Sequence, residues 1–214
     1  MMRCWMALLA LLLGCGSADG TTRAIAAGAS PARKVELPWL VVPGGRMRTT
    51  FFYGPWQCSP PWMTECQKLC VSKTRQLKGC MWLADMKLEW VGHLIIPPVP
   101  LESGGRLALT HCCCDSPALK PQQTEALRKE WENARKSFRQ DWSKKFGDWP
   151  TENGKSWPGH HIEDLGHGGP PTNPNNILPT PPDIHDIFSK QYPVCYAGGP
   201  PWNTVGPERP YTDN

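Results

Sequence analysis

Three consecutive cysteines, Cys112-Cys113-Cys114, close an apolar run that starts at Arg106, and no other feature restricts the chain as much. Successive side chains on a strand point to opposite faces, so the outer two and the middle one pair in different directions. With Cys58, Cys66, Cys70, Cys80 and Cys195 they make eight cysteines in the body of the chain, an even number that favours disulfides in an oxidising compartment. Cys66 and Cys70 lie four apart in Thr64–Thr74, a short helical stretch, and share a face. The competing reading is a zinc site from Cys58, Cys66, Cys70 and His111, which the absence of any CxxC pair disfavours. Cys195 either cross-links two parts of the molecule or stays a lone thiol. The runs Cys80–Met86, Glu89–Ile96 and Arg106–Cys112 read as strands, broken by Pro97-Pro98 and Gly104-Gly105. A small disulfide-stapled α+β module over 50–118 is the result.

The N-terminal residues point to the compartment. Arg3 precedes Trp5–Leu13, nine uncharged residues that reach only about 14 Å as a helix, too short to span a bilayer but suited to a signal peptide. Leu12-Leu13-Gly14-Cys15 resembles a bacterial lipobox, which implies cleavage after Gly14 and lipidation of Cys15. The expected layout is a signal peptide over 1–14 and a lipidated flexible tether over 15–49, with the lipid on Cys15 holding the protein to the membrane.

Pro121–Phe146 carries Leu127, Trp131, Ala134, Phe138, Trp142 and Phe146 at helical spacing, and Gly147 ends the pattern. From Lys120 this stretch holds eight Lys/Arg against four Asp/Glu. It reads as a linking amphipathic helix over 119–146. Its charged side is either a plain solvated face or a surface for phosphates.

From Gly147 the composition turns to Pro, Gly, Asn and His, and His160, His161, His167 and His185 are four of the six histidines in the chain. Neutral imidazole ligates divalent metals and serves as a general base near neutral pH. Asn176 follows His161 by fifteen residues and precedes His185 by nine. This ordered set, with the His160-His161 pair and the Gly168-Gly169 turn, resembles the HNH motif of the ββα-metal nucleases, and DNase-type bacteriocins share the double histidine. The resemblance implies an HNH-like domain over 147–214 in a chain of α+β class. By position it makes His161 the general base that activates water, His160 and His185 metal ligands, and Asn176 the brace of the His161 loop. A helix opening at Pro182 would carry His185. Lys190 is the candidate phosphate contact, and His167 or Asp186 could add a ligand.

Two departures qualify the resemblance. Many relatives have a histidine one helical turn after the last motif residue, where this chain has Ser189, so fewer protein ligands favour Mg2+ or Mn2+, with Zn2+ the alternative. Residues 147–214 also hold three Lys/Arg and eight Asp/Glu, so phosphate contacts would come from the basic helix. The irregular tail from Gln191 is expected to fold back through Trp202 and Tyr211 onto the nuclease core. Leader, cysteine-rich delivery module and nuclease tip together resemble SitA-type polymorphic toxin lipoproteins, exchanged between outer membranes. That implies cleavage of nucleic acid, DNA favoured, in the cytoplasm of sibling cells, and a cognate immunity protein. A scavenging nuclease and a non-catalytic surface lipoprotein are the alternatives.

Overall fold

The computed structural model describes residues 33–93 and 106–211. The expected signal peptide and Cys15 lie outside the described residues. Short strands β1 (Arg33–Glu36) and β2 (Leu40–Val42) lead into β3 (Gly45–Gln57), followed by helix α1 (Pro60–Ser72), β4 (Leu77–Gly92) and β5 (Arg106–Cys114). These strands form one antiparallel sheet in the order β1-β3-β4-β5, with β2 on the β1 edge beside β3. The tether expected over 15–49 is therefore corrected from Arg33 onward. Its short strands escape notice because Pro38 and the Gly44-Gly45 turn interrupt any alternation. The expected run Cys80–Met86 and the start of Glu89–Ile96, as far as Gly92, are parts of one strand, β4, joined through the half-buried Lys87, whose charge looks like a break; residues 94–96 lie outside the described residues.

The sheet is covered on both faces, which is why β3 reads Phe51-Phe52-Tyr53 rather than alternating apolar and polar. On one face Phe52, Trp56, Trp82 and Cys80 pack with Cys66 of α1 and with Tyr211. On the other face Met47, Phe51, Tyr53, Leu83 and Met86 meet the C-terminal half through Trp131, Trp142, Trp157, Phe188 and Tyr192. The cysteine triplet divides between these faces as alternation demands. Cys112 and Cys114 bond Cys66 and Cys70 on α1, Cys113 bonds Cys195 on the opposite side, and Cys58 closes onto Cys80. All eight are thereby paired within the chain.

Helix α2 (Pro121–Phe146) buries the stripe that its spacing predicts: Trp131, Trp142 and Phe146 are enclosed and Phe138 is partly covered. A tight hairpin, β6 (Thr151–Glu152) with β7 (Lys155–Ser156), turns at Asn153-Gly154, both at positive φ as a two-residue turn of this kind requires. Then β8 (Gly159–His161) pairs antiparallel with β9 (Ile177–Pro179), and α3 (Pro182–Tyr196) follows. The irregular tail expected from Gln191 is corrected here, because α3 continues to Tyr196 with Pro193 inside it. Trp202 joins the core under α3, whereas Tyr211 crosses to the other face of the sheet and stacks on Phe52 with ring centres 4.7 Å apart.

The expected boundaries at 50, 119 and 147 do not separate independent cores. Residues from β3 and β4 share one apolar cluster with α2, β8, β9 and α3. The Tyr53 hydroxyl donates to the Pro179 carbonyl across that cluster, and burial raises its pKa well above the ordinary value, so it remains a donor. Among the described residues no helix is long and apolar enough to cross a membrane.

Candidate active site

Each histidine of interest is positioned by a different local device. Gly159 opens β8 directly beneath α2, where an added Cβ would sit 2.7 Å from the Trp131 ring; only glycine lets the strand approach this closely. The next two residues, His160 and His161, are both buried, at 5 % and 9 % exposure. His160 turns toward α3, where its ring lies 5.3 Å from that of His185 at 83° and 4.9 Å from Phe188. His161 turns toward α2 and meets the Trp131 ring edge-on at 5.3 Å. Adjacent strand residues thus face opposite helices, as the strand geometry requires. His185 lies in the first turn of α3, its backbone N–H bonded to the Pro181 carbonyl.

Hydrogen bonds fix which nitrogen of each ring carries the proton. Tyr192 has one hydroxyl hydrogen, and the carbonyl of Ile162 accepts it at 2.9 Å. The His160 Nε2, 2.7 Å from the Tyr192 oxygen, is therefore the donor in that pair, and its Nδ1 keeps a lone pair. The His161 Nε2 donates to the Pro171 carbonyl at 3.0 Å, so its lone pair is also on Nδ1. Neither Nδ1 has a hydrogen-bond partner among the described residues. Burial lowers the pKa of all three imidazoles. For His160 the neighbouring His185, His111 and His161 reinforce it, while for His161 the Pro171 hydrogen bond opposes it. The site thus holds neutral imidazoles at pH 7, the form that can ligate a metal or take up a proton.

Asn176 braces the segment between β8 and β9. Its Oδ1 accepts from the Glu163 N–H at 2.7 Å, and its Nδ2 donates to the carbonyls of Glu163 and Pro170, each at 3.0 Å. Those bonds hold the strand's exit and position the Pro171 carbonyl that orients His161.

The His160 and His185 rings are close enough for both to reach one ion. Their centres are 5.3 Å apart, and neutral imidazoles of this kind would hold a divalent ion through their ring nitrogens. Among the described residues no group of three His, Cys, Asp or Glu side chains converges on one point, so the remaining positions would fall to water and substrate. The Ser189 hydroxyl donates to the His185 carbonyl, its own helix backbone, and is turned away from ligation. His167 is engaged elsewhere, its Nδ1 2.9 Å from Asp164. Lys190 is exposed and lies about 140° around α3 from His185, so the two do not share a face. Asp186, one residue after His185, is about 100° away around the same helix.

Trp131 brings α2 alongside β8, and Arg128 and Arg135 sit one turn to either side of it. Both are exposed and paired along the helix with Glu125 and Glu132. Arg139 is tied down through a hydrogen bond to the Trp157 carbonyl at 3.1 Å. Two residues of this site were not singled out by sequence, Tyr192 and Trp131 in its supporting role. Tyr192 stands two helical turns after His185, with Phe188 between, a spacing that points to one face of a helix once the helix is allowed to pass Ser189.

The chain matches no protein-family model, no curated protein and no solved structure.

Proposed function

We propose that the chain is a metal-dependent phosphodiesterase of the HNH type, acting on nucleic acid with DNA favoured, and borne by an exported, lipidated toxin of the SitA kind with a cognate immunity protein. The observation that carries this reading is the meeting of His160 and His185 at 5.3 Å across a strand pair and its following helix; His161, on the other face of β8, is near enough to His185 for the two rings to affect each other's charge. A divalent ion bound by His160 and His185 would supply charge stabilisation at the pentavalent phosphorus and the departing 3′-oxygen. The chain's own part is acid–base and positional. His161 Nδ1 accepts a proton from water as the water oxygen attacks phosphorus, the P–O3′ bond breaks, and solvent protonates the leaving oxygen. Tyr192 and the Pro171 carbonyl keep both rings in the tautomer this requires. Arg128 and Arg135 supply cations beside the site, each already sharing its charge with a glutamate.

The test is nicking of supercoiled plasmid, and cleavage of single-stranded DNA and RNA, by the full-length disulfide-bonded protein with Mg2+, Mn2+ or Zn2+. His161→Ala is expected to lose about 100-fold or more of the rate while keeping its near-UV circular dichroism. Intact substrates with every metal would sink the enzymatic reading.

A scavenging nuclease acting outside the cell is the second reading. Cys113–Cys195 favours it, because that bond ties the helix bearing His185 to the sheet and persists in oxidising surroundings. Cleavage that survives full reduction favours action in a cytoplasm, and cleavage that disappears favours the scavenger.

A further inference from the structure

We propose that a cleft beside the Asn176-braced loop, lined by Lys73, Arg75, Ser116, Glu163, His167 and Tyr196, is a binding site for a compact oxyanion such as a phosphate group. It goes beyond the phosphodiesterase reading and does not depend on it. The cleft encloses about 160 Å³ and lies where the end of α1, the chain just after β5, the loop at Glu163–His167 and the end of α3 come together. That is room for a tetrahedral anion and a few waters, and not for a base and sugar. Its walls include Cys112 and Cys114, both cross-linked to α1, so they are already rigid before a ligand arrives.

The charges around the cleft are balanced except for one. Lys73 reaches Glu163 at 3.1 Å. Asp164 is taken twice, by the His167 Nδ1 at 2.9 Å and by the Tyr196 hydroxyl at 2.7 Å. Arg75 has its backbone N–H fixed to the Cys70 carbonyl at 2.9 Å, yet its guanidinium makes no hydrogen bond or ion pair among the described residues. One of its nitrogens, Nη1, is shut away from water without a partner. A half-buried cation left in this state needs an acceptor, and a planar guanidinium suits an oxyanion above other ligands. His167 forms the opposite wall and reports on the cleft. Its ring lies flat on Tyr196 at 3.6 Å with Nδ1 given to Asp164, so it is held in one orientation at the cleft wall.

The test follows the imidazole resonances of the full-length oxidised protein as inorganic phosphate is added at constant ionic strength. A saturable shift confined to His167 is expected. Arg75→Gln should weaken it at least tenfold, whereas Arg75→Lys weakens it less and His185→Gln leaves it unchanged. Lys73→Gln serves in place of Arg75→Gln if the latter fails to fold. A 5′-phosphorylated dinucleotide forms the second arm: tighter binding than inorganic phosphate assigns the site to a nucleic-acid phosphate, and equal or weaker binding to a free anion. A shift that never saturates, that survives Arg75→Gln and Lys73→Gln undiminished, or that appears on His160 and His185 instead overturns the proposal. Plasmid cleavage is not the readout, so failure here and failure of the phosphodiesterase reading are separate events.

Discussion

The two faces of the sheet are built by different means. On the α1 face three disulfides gather within a short span, and the apolar cluster they support is small: Phe52, Trp56, Trp82 and Tyr211 around the sulfurs. The opposite face has a single disulfide, Cys113–Cys195, and is held by a long row of aromatic side chains and by hydrogen bonds from Tyr53, Asn176 and Tyr192. The candidate catalytic histidines are all on that second side. Covalent bracing holds a region with little apolar area to bury, whereas the region around His160, His161 and His185 relies on packing and directional hydrogen bonds, which fix angles as well as distances.

The largest break in this comparison is to remove one face altogether. A fragment spanning residues 119–214 would lose Met47, Phe51, Tyr53, Leu83 and Met86 from its core. It is expected to show neither near-UV dichroism nor cooperative unfolding, and a sharp transition in that fragment would mean the two faces are independent after all. Next comes the lone disulfide. Replacing Cys113 and Cys195 by alanine opens a loop of 82 residues and should cost about 4 kcal/mol in urea unfolding. Replacing Cys66 and Cys112 should cost about 2 kcal/mol or less, because Cys70–Cys114 still closes nearly the same loop. Equal losses would contradict the account of how the faces differ.

Acid separates the faces more gently. Burial lowers the His111 pKa from 6.5 to about 4, and it stacks on Tyr192 at 4.3 Å on the site side of β5. The folded state keeps this ring neutral while the unfolded chain takes up a proton as pH falls through 6.5. Stability is therefore complete above pH 6.5 and is lost progressively down to about pH 4, by about 3 kcal/mol for this group. His160, His161 and His185 act in the same direction. Urea midpoints between pH 7 and pH 4.5 check this, and His111→Phe should flatten part of the slope. The smallest effect is Tyr192→Phe, which leaves the His160 Nε2–H without its acceptor and should cost about 1–3 kcal/mol. In ¹⁵N spectra the same variant should lose the single-tautomer signature of His160; an unchanged His160 spectrum would show that the hydroxyl does not set the tautomer.

Strand alternation in Cys112-Cys113-Cys114, the shared face of Cys66 and Cys70, and the helical stripe of α2 were legible because each is a local pattern with a fixed period. The grouping of His160 with His185 was legible only through spacing in a short segment. What stayed hidden was non-local. Trp149 and Trp157 lie in Pro- and Gly-rich stretches that look like surface loop, yet both are buried in the core they share with β3 and β4, far away in the chain. Pro193 made the end of α3 look irregular, which concealed Tyr192, the residue that orients His160. The strands over 33–42 are too short to show any period, and their pairing depends wholly on β3 being there.

Proteins assembled from interchangeable parts need a seam at which one part can be cut away and another fitted. Here the Tyr53 hydroxyl reaches the Pro179 carbonyl across the line where such a cut would fall. A recombination event at that line would leave half of an aromatic interior facing water, and the hybrid would aggregate unless the incoming piece carried the same complementary surface. The molecule is therefore expected to be inherited whole, with variation confined to its rims.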